Sequence, residues 1–409
     1  LSLPTCCAAF AADFATVFFS SPILPTPTHS FAPAPRAGSA SLEAHTMEPV
    51  THFLTGACLG RSGFNRRTAY ATLTMCLAAE APDIDVLFSL GGPVTGFAHH
   101  RGITHTLVGA PFMALAVVGV VWCLAALGRR LGRKPPAQPV RWLLLFFLAL
   151  LADFSHLLLD FTNNYGIRPF APFNPHWYAW SIVFIFEPLL FAALLLALVL
   201  PALFGLIDNE VRRAPQSTPR SPAWAIAALC FVVLLYAVRS HEHTRAIAMV
   251  HAQHAAARGD DSATPHEPLL RVAAEPVMVN PFTWHTIAAT ATTHQSATAH
   301  TREGLLDPAE VTAIPRLTPA ITAARASYLG RVYGDWSSWP VIEDIGDAPP
   351  PDNPEPLPPG AHTVVFSDLR FSRAALGPLA SDAPPLSGYV VVGSDGAILA
   401  QWINGRRQR

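Results

Sequence analysis

The sequence predicts a mainly α protein in which a polytopic helical membrane domain is followed by a smaller soluble domain of mixed α/β character. Three observations carry that expectation. Of 409 residues, 51% are hydrophobic and 13% charged, a balance too apolar for an ordinary soluble enzyme of this length. Several apolar runs approach or exceed the roughly 20 residues needed to cross a bilayer. Beyond Val238 such runs stop, and proline-rich punctuation alternates with short strand-like stretches. The formal net charge of −1 argues against a general electrostatic attraction to nucleic acid.

Residues 1–46 differ from the rest. They begin with Leu, pass through a weak apolar patch interrupted by Asp13, and continue in Pro, Thr, Ser and Ala. No basic segment precedes the patch, so this stretch reads as a disordered or over-extended leader with Met47 as the start. Val50–Leu59 and Thr68–Ala81 are apolar and helical in character, but each is shorter than a full span. Pro82 disfavours the helical region for Ala81, which sets Asp83 and Asp85 on a helix-ending turn. Ile103–Leu127, Val140–Phe161, Ala179–Ile207 and the shorter Ala223–Val238 read as spans. The six cysteines form no CxxC pattern and read as small buried hydrophobes.

Charge placement gives the topology. Arg61, Arg66 and Arg67, then Arg129, Arg130, Arg133, Lys134 and Arg141, then Arg212, Arg213 and Arg220 mark cytoplasmic connections by the positive-inside rule. Every polar cluster of interest then falls at the opposite, outer face: His52, Asp83 with Asp85, His99–His105, Asp160 and Glu187. The chain from residue 240 onward lies outside as well, giving domains 47–239 (membrane) and 240–409 (extracytoplasmic). Within the latter, Ser240–Arg258 reads as a helix leaving the membrane, and Gly388–Val392 with Ala397–Ile403 reads as a hairpin about Ser394-Asp395-Gly396. Trp177, Tyr178 and Trp180 resemble an interfacial aromatic belt.

The chemistry-bearing residues are histidines and carboxylates without a thiolate, a donor set suited to Zn²⁺, Mn²⁺ or Fe²⁺. Asp153, His156 and Asp160 fall on one helical stripe, as metal ligands or as a hydrogen-bonded network, with Asp153 placed to orient a histidine ring. His100 and His105 bracket Arg101, whose planar fork suits an anionic phosphate or carboxylate, or a salt bridge to Asp83 or Asp85. The candidate ligands are His52, Asp83, Asp85, His100, His105, His156 and Asp160, enough for one ion with supporting groups or for two ions. Glu80, Asp83 and Arg101 are the candidate catalytic groups beside them.

These motifs resemble a known family. Thr51-His52 with Gly56, Ala81-Pro82-Asp83-Ile84-Asp85, His100-Arg101-Gly102-Ile103-Thr104-His105, Ser155-His156 through Asp160, and Asn164-Tyr165-Gly166 are similar to the YdjM-like membrane-bound metal-dependent hydrolases of bacterial inner membranes. The resemblance covers roughly residues 47–200, and Asn280-Pro281-Phe282-Thr283-Trp284 and Asp368-Leu369-Arg370-Phe371 look like the tail of longer members. It implies metal-dependent hydrolysis at the membrane, with a lipid or lipid-linked ester or phosphoester as the substrate expected at the outer leaflet. Two other classes share the ligand set: a metal or proton transporter, and a non-catalytic envelope protein stapled by its metal.

Overall fold

The computed structural model describes residues 40–211, 221–259, 267–351, 353, 355–372 and 384–408; of the expected leader, 1–46, residues 1–39 lie outside them and residues 40–46 are helical. The packing starts from two glycines. Helix α1 (Ala40–Arg61) carries Gly56 and Gly60 one turn apart, and a Cβ at Gly56 would stand 2.5 Å from the Met75 carbonyl of α2 (Ala71–Glu80). A small-xxx-small pair of this kind lets two backbones approach closely, which draws His52 in beside the end of α2.

Ala81 keeps helical dihedrals (φ −60°, ψ −38°), contrary to the expected break, because Pro82 falls at the first turn of a new, tighter element. That element is an 11-residue 3-10 helix, Ala81–Gly91, unusually long for this geometry. Short α3 (Pro93–His99) and a 3-10 turn at Ile103–His105 follow. The next span, α4 (Ala110–Arg130), starts later than the hydropathy suggested, since Thr106 is extended and its hydroxyl accepts from Gly109 N. Helix α5 (Trp142–Thr162) matches expectation. Helix α6 (Pro188–Val211) begins at a proline rather than at Ala179, because the preceding residues hydrogen-bond along the end of α5, Trp180 N to Phe161 O and Ile182 N to Thr162 O. Helix α7 (Ala223–Gly259) is 37 residues long and includes the expected outward extension. Four of these, α4 to α7, are long and apolar enough to cross a membrane.

Two of the arginine-bearing connections meet: Ala69 N donates to Pro139 O and Arg141 N to the Thr68 hydroxyl. Glu187 before α6 pairs with Arg239 of α7 at 2.6 Å, which neutralises two buried charges where the helices leave the apolar layer. Cys58 and Cys76 are buried as expected, whereas Cys123 and Cys230 face outward from their spans, where the surroundings of a membrane helix are themselves apolar.

The C-terminal part holds two five-stranded antiparallel sheets. The first joins β1 (Arg271–Pro276), β2 (Thr283–Ala289), β3 (Thr293–His300) and β4 (Leu305–Leu306) in sequence order, with β5 (Glu310–Ala313) also on β3. The second runs β10 (Arg406–Arg407), β9 (Ile398–Ile403), β8 (Gly388–Val392), β7 (His362–Asp368), β6 (Pro340–Asp344), and contains the expected hairpin. Helices α8 (Pro319–Ala326) and α9 (Tyr328–Trp336) lie between them, capped by the side chains of Thr318 and Ser327.

Val94 of α3 and Tyr165 of the loop after α5 are buried in one cluster with Ile321, Tyr333, Trp336 and Phe366. The membrane part and the C-terminal part therefore share a hydrophobic core, and Ala40–Arg409 forms a single compact unit. The Asn280–Trp284 motif packs on the outward extension of α7, where Trp284 is buried with Ala246.

Candidate metal centre

Each side chain of the centre is set by a local constraint. The last carbonyls of a helix lack intrahelical partners, and that of Ala79 in α2 accepts from His156 Nδ1 at 2.7 Å. A carbonyl only accepts, so Nδ1 carries the proton and the His156 Nε2 lone pair points inward. His105 is fixed from the other side: its Nδ1 faces Asp85 Oδ2 at 3.3 Å, the same oxygen that accepts Arg101 N–H at 2.7 Å. Burial works against ionisation of Asp85, but the hydrogen bonds from His100 and His105 outweigh it and hold its carboxyl well below the usual range.

The two Nε2 atoms of His105 and His156 consequently face each other at 3.0 Å. Around them stand two carboxylates. Asp83 Oδ1 lies 3.3 Å from His105 Nε2 and 3.7 Å from His156 Nε2, and Asp160 Oδ2 lies 3.4 Å from both. A tetrahedral ion with bonds of about 2.0–2.1 Å has ligand–ligand edges of about 3.3–3.4 Å. The five distances bracket that value, and the sets that converge on a common point are Asp83, His105 and His156 on one side and His52, His156 and Asp160 on the other, so the residues present fit a divalent cation in chemistry and in spacing three at a time.

His52 approaches from α1. Its ring stacks on His156 with centroids 3.8 Å apart, and its Nε2 is 3.3 Å from Asp160 Oδ1, the oxygen turned away from the other donors. His52, His156 and Asp160 form one ligand-capable group, and Asp83, His105 and His156 another. Arg101 also reaches Asp160 Oδ1, at 2.9 Å through Nη2.

Arg101 is 1% exposed and lies in the left-handed region (φ 52°). Its Nη1 donates to Asn163 Oδ1 and Gly166 O, and its guanidinium lies over the Tyr165 ring. Its charged partner is Asp160 rather than Asp83 or Asp85, because the turn after α5 brings three acceptors and a ring face to the guanidinium at once. His100 stands behind Asp85, with Nδ1 3.4 Å from Oδ1, and its side chain is about one-third exposed (31%). Glu80 is half-buried at the end of α2, and burial, then the Asp83 carboxylate, push it up to about 8. Asp153 is buried one turn before His156 but orients neither histidine: Ala79 and Asp85 hold those rings, and both Asp153 oxygens lack hydrogen-bond partners among the described residues.

Sequence reasoning did not single out the part played by Asn163, whose side chain also accepts from Tyr165 N. An Asn opening a turn that ends in glycine was the available signal. Nor did it find the reach of Arg370, which forks onto Asp368 and donates to Asn164 O at 2.8 Å.

With this geometry in hand, comparison with known proteins is direct. Residues 47–246 match the family described as YdjM inner membrane protein, which bears out the resemblance read from the motifs. The chain is 27% identical over 162 residues to the uncharacterized protein YfhP of Bacillus subtilis (strain 168), a match covering 38% of this chain. The chain spans about half (46%) of the length of that relative. No solved structure matches. The family match and the four apolar helices among the described residues point to a membrane protein, with buried His/Asp groups able to bind a metal ion.

Proposed function

We propose that this chain, whose residues 47–246 match the YdjM inner membrane protein family, is a metal-dependent hydrolase working at the outer face of the membrane on a lipid or lipid-linked ester or phosphoester. The reading is carried by one observation: two imidazole Nε2 atoms face each other at 3.0 Å, with His156 Nδ1 on the Ala79 carbonyl and His105 Nδ1 between Asp85 and the Thr104 hydroxyl. Two imidazoles and two carboxylates buried this close together need positive charge among them, and a divalent cation supplies it.

The proposed ligands are Asp83, His105, His156 and Asp160, with His52 on the far oxygen of Asp160. Asp85 orients His105, Arg101 holds Asp160, and His100 supports Asp85. A divalent cation held there supplies Lewis acidity, polarising a carbonyl or phosphoryl oxygen and acidifying water. Asp83, at 23% the most exposed of the four carboxylate and imidazole side chains, faces the opening, and Glu80 beside it is the group placed to take a proton. Two arginine-bearing connections, 61–67 and 128–141, meet where the positive-inside rule expects the cytoplasm, which supports reading the centre and the C-terminal sheets as lying outside it.

The completeness of the donor set favours a second reading. Four protein ligands around tetrahedral Zn²⁺ make a closed, structural site, whereas the same donors around six-coordinate Mn²⁺ or Fe²⁺ leave positions open for chemistry. Metal analysis of the purified protein, alongside His105→Ala and Asp160→Ala, separates the two when joined to a screen of phospholipid and lipid-linked ester hydrolysis. Hydrolysis lost in both variants together with the metal supports the enzyme. Stoichiometric zinc, lost in both variants, with no hydrolysis by the native protein supports the staple, and absence of metal sinks both.

A further inference from the structure

The 3-10 helix Ala81–Gly91 carries ligand-bearing residues at its start and an unpartnered apolar face along the rest of its length. Pro82 and Asp85 point inward, while Ile84, Val86, Leu87, Phe88 and Leu90 are all exposed, Val86 at 65% and Leu90 at 88%. Residues 86–98 contain no Asp, Glu, Lys, Arg or His. A contiguous uncharged face of this kind on the surface of a water-soluble protein is costly and marks an interaction site.

We infer that this segment lies in the outer leaflet, among lipid acyl chains at headgroup depth, and forms the lateral mouth of the metal centre. Two observations commit the occupant to lipid. The 3-10 helix contacts the Ile103–His105 turn and α4, an apolar helix of spanning length, and Leu107, Val108 and Phe112 at that junction are likewise exposed. The 3-10 geometry also closes its own i to i+3 hydrogen bonds, so the backbone enters an apolar layer without leaving its N–H groups unpaired.

The location matters because Ile84, 54% exposed, directly follows Asp83, the ligand whose side chain is partly open. An amphiphile lying alongside Ile84 presents the bond next to its headgroup to the centre without leaving the bilayer. This statement about substrate entry rests on the hydrolase reading; the location of the segment does not.

The test reads location alone. In the full chain with its cysteines replaced by serine, Leu87→Cys and Leu90→Cys are nitroxide-labelled and the protein is reconstituted in phospholipid nanodiscs. Relaxation by oxygen, which concentrates in lipid, is compared with relaxation by a water-soluble nickel chelate. The expected oxygen-to-nickel ratio matches that of a label at Phe112 and exceeds that of a label at Glu310 on the exposed strand β5. A ratio equal to that at Glu310 overturns the inference, and so does protection from both reagents, which would mean that protein covers the face. A second measurement uses the unaltered chain: photolabelling by a phospholipid with an acyl-chain diazirine is expected to modify residues 84–90, and its absence there, with α4 labelled, also overturns the inference. Absence of hydrolysis leaves both readouts unchanged, so the two readings fail separately.

Discussion

Replacing Asp85 tests the centre without touching any proposed ligand. One oxygen of Asp85 accepts Arg101 N–H at 2.7 Å and faces His105 Nδ1 at 3.3 Å, and the other faces His100. Asp85→Asn can keep its carbonyl oxygen at the shared position, preserving both hydrogen bonds and the His105 tautomer while removing the charge. Asp85→Ala removes the acceptor altogether. It removes the acceptor of a buried N–H, at a cost of about 1–3 kcal/mol, and one of the two groups at His105 Nδ1, leaving the Thr104 hydroxyl at 3.1 Å as the other. Loss of an outer partner of a ligating histidine lowers metal affinity about 10–100-fold, or about 1.4–2.7 kcal/mol. The expected order of affinity is therefore native, then Asn, then Ala, with Ala in that range and Asn closer to native. Competition against a chromogenic chelator with purified protein measures it, and thermal unfolding of the metal-free forms separates folding loss from affinity loss. Ala binding metal as tightly as the native protein would refute the claim that Asp85 positions His105.

Arg370 and Asp368 form a buried ion pair with Ser337 and Asn164 as further partners, so Arg370→Ala strands a carboxylate and is expected to destabilise by about 3–5 kcal/mol. Arg370→Lys keeps the charge but loses the fork and should cost less, as read by thermal melting. Burial pushes Glu275 up to about 8, above its unfolded value, so the stability it confers is complete below about pH 4.5 and is lost as pH rises through 8. Melting temperatures taken between pH 5 and 8 should fall, and Glu275→Gln should flatten that decline. A side chain at Gly56 meets the Met75 carbonyl and Ala79 Cβ, so Gly56→Val should push α1 away and withdraw His52. Disulfide trapping between α1 and α2, slower in the variant than in the native spacing, checks the displacement.

Much of the centre was legible because its chemistry is expensive in an apolar setting. Asp153, His156 and Asp160 on one stripe of a span, and histidines flanking Arg101 next to another, have few explanations other than mutual contact. The division of labour among them was not legible. That Asp85 stands behind His105, that Arg101 chooses Asp160, and that Asp153 holds no ring all depend on which neighbour arrives within 3 Å. The late start of α4 followed from one hydroxyl, Thr106, which outbid an apolar run that hydropathy alone reads as continuous. The core shared by Val94, Tyr165 and the C-terminal helices joins residues more than 200 positions apart, and no local pattern announces such a pairing.

That shared core orders events in time. Spans α4 to α7 can enter the membrane as they are made, but the turn carrying Asn163 and Tyr165 meets its cover only when Trp336, Phe366 and Arg370 have been synthesised. Contacts of such sequence separation form slowly. Covering of the turn that holds Arg101 is accordingly a late step of maturation, and a chain interrupted before β7 would be inserted yet lack that cover.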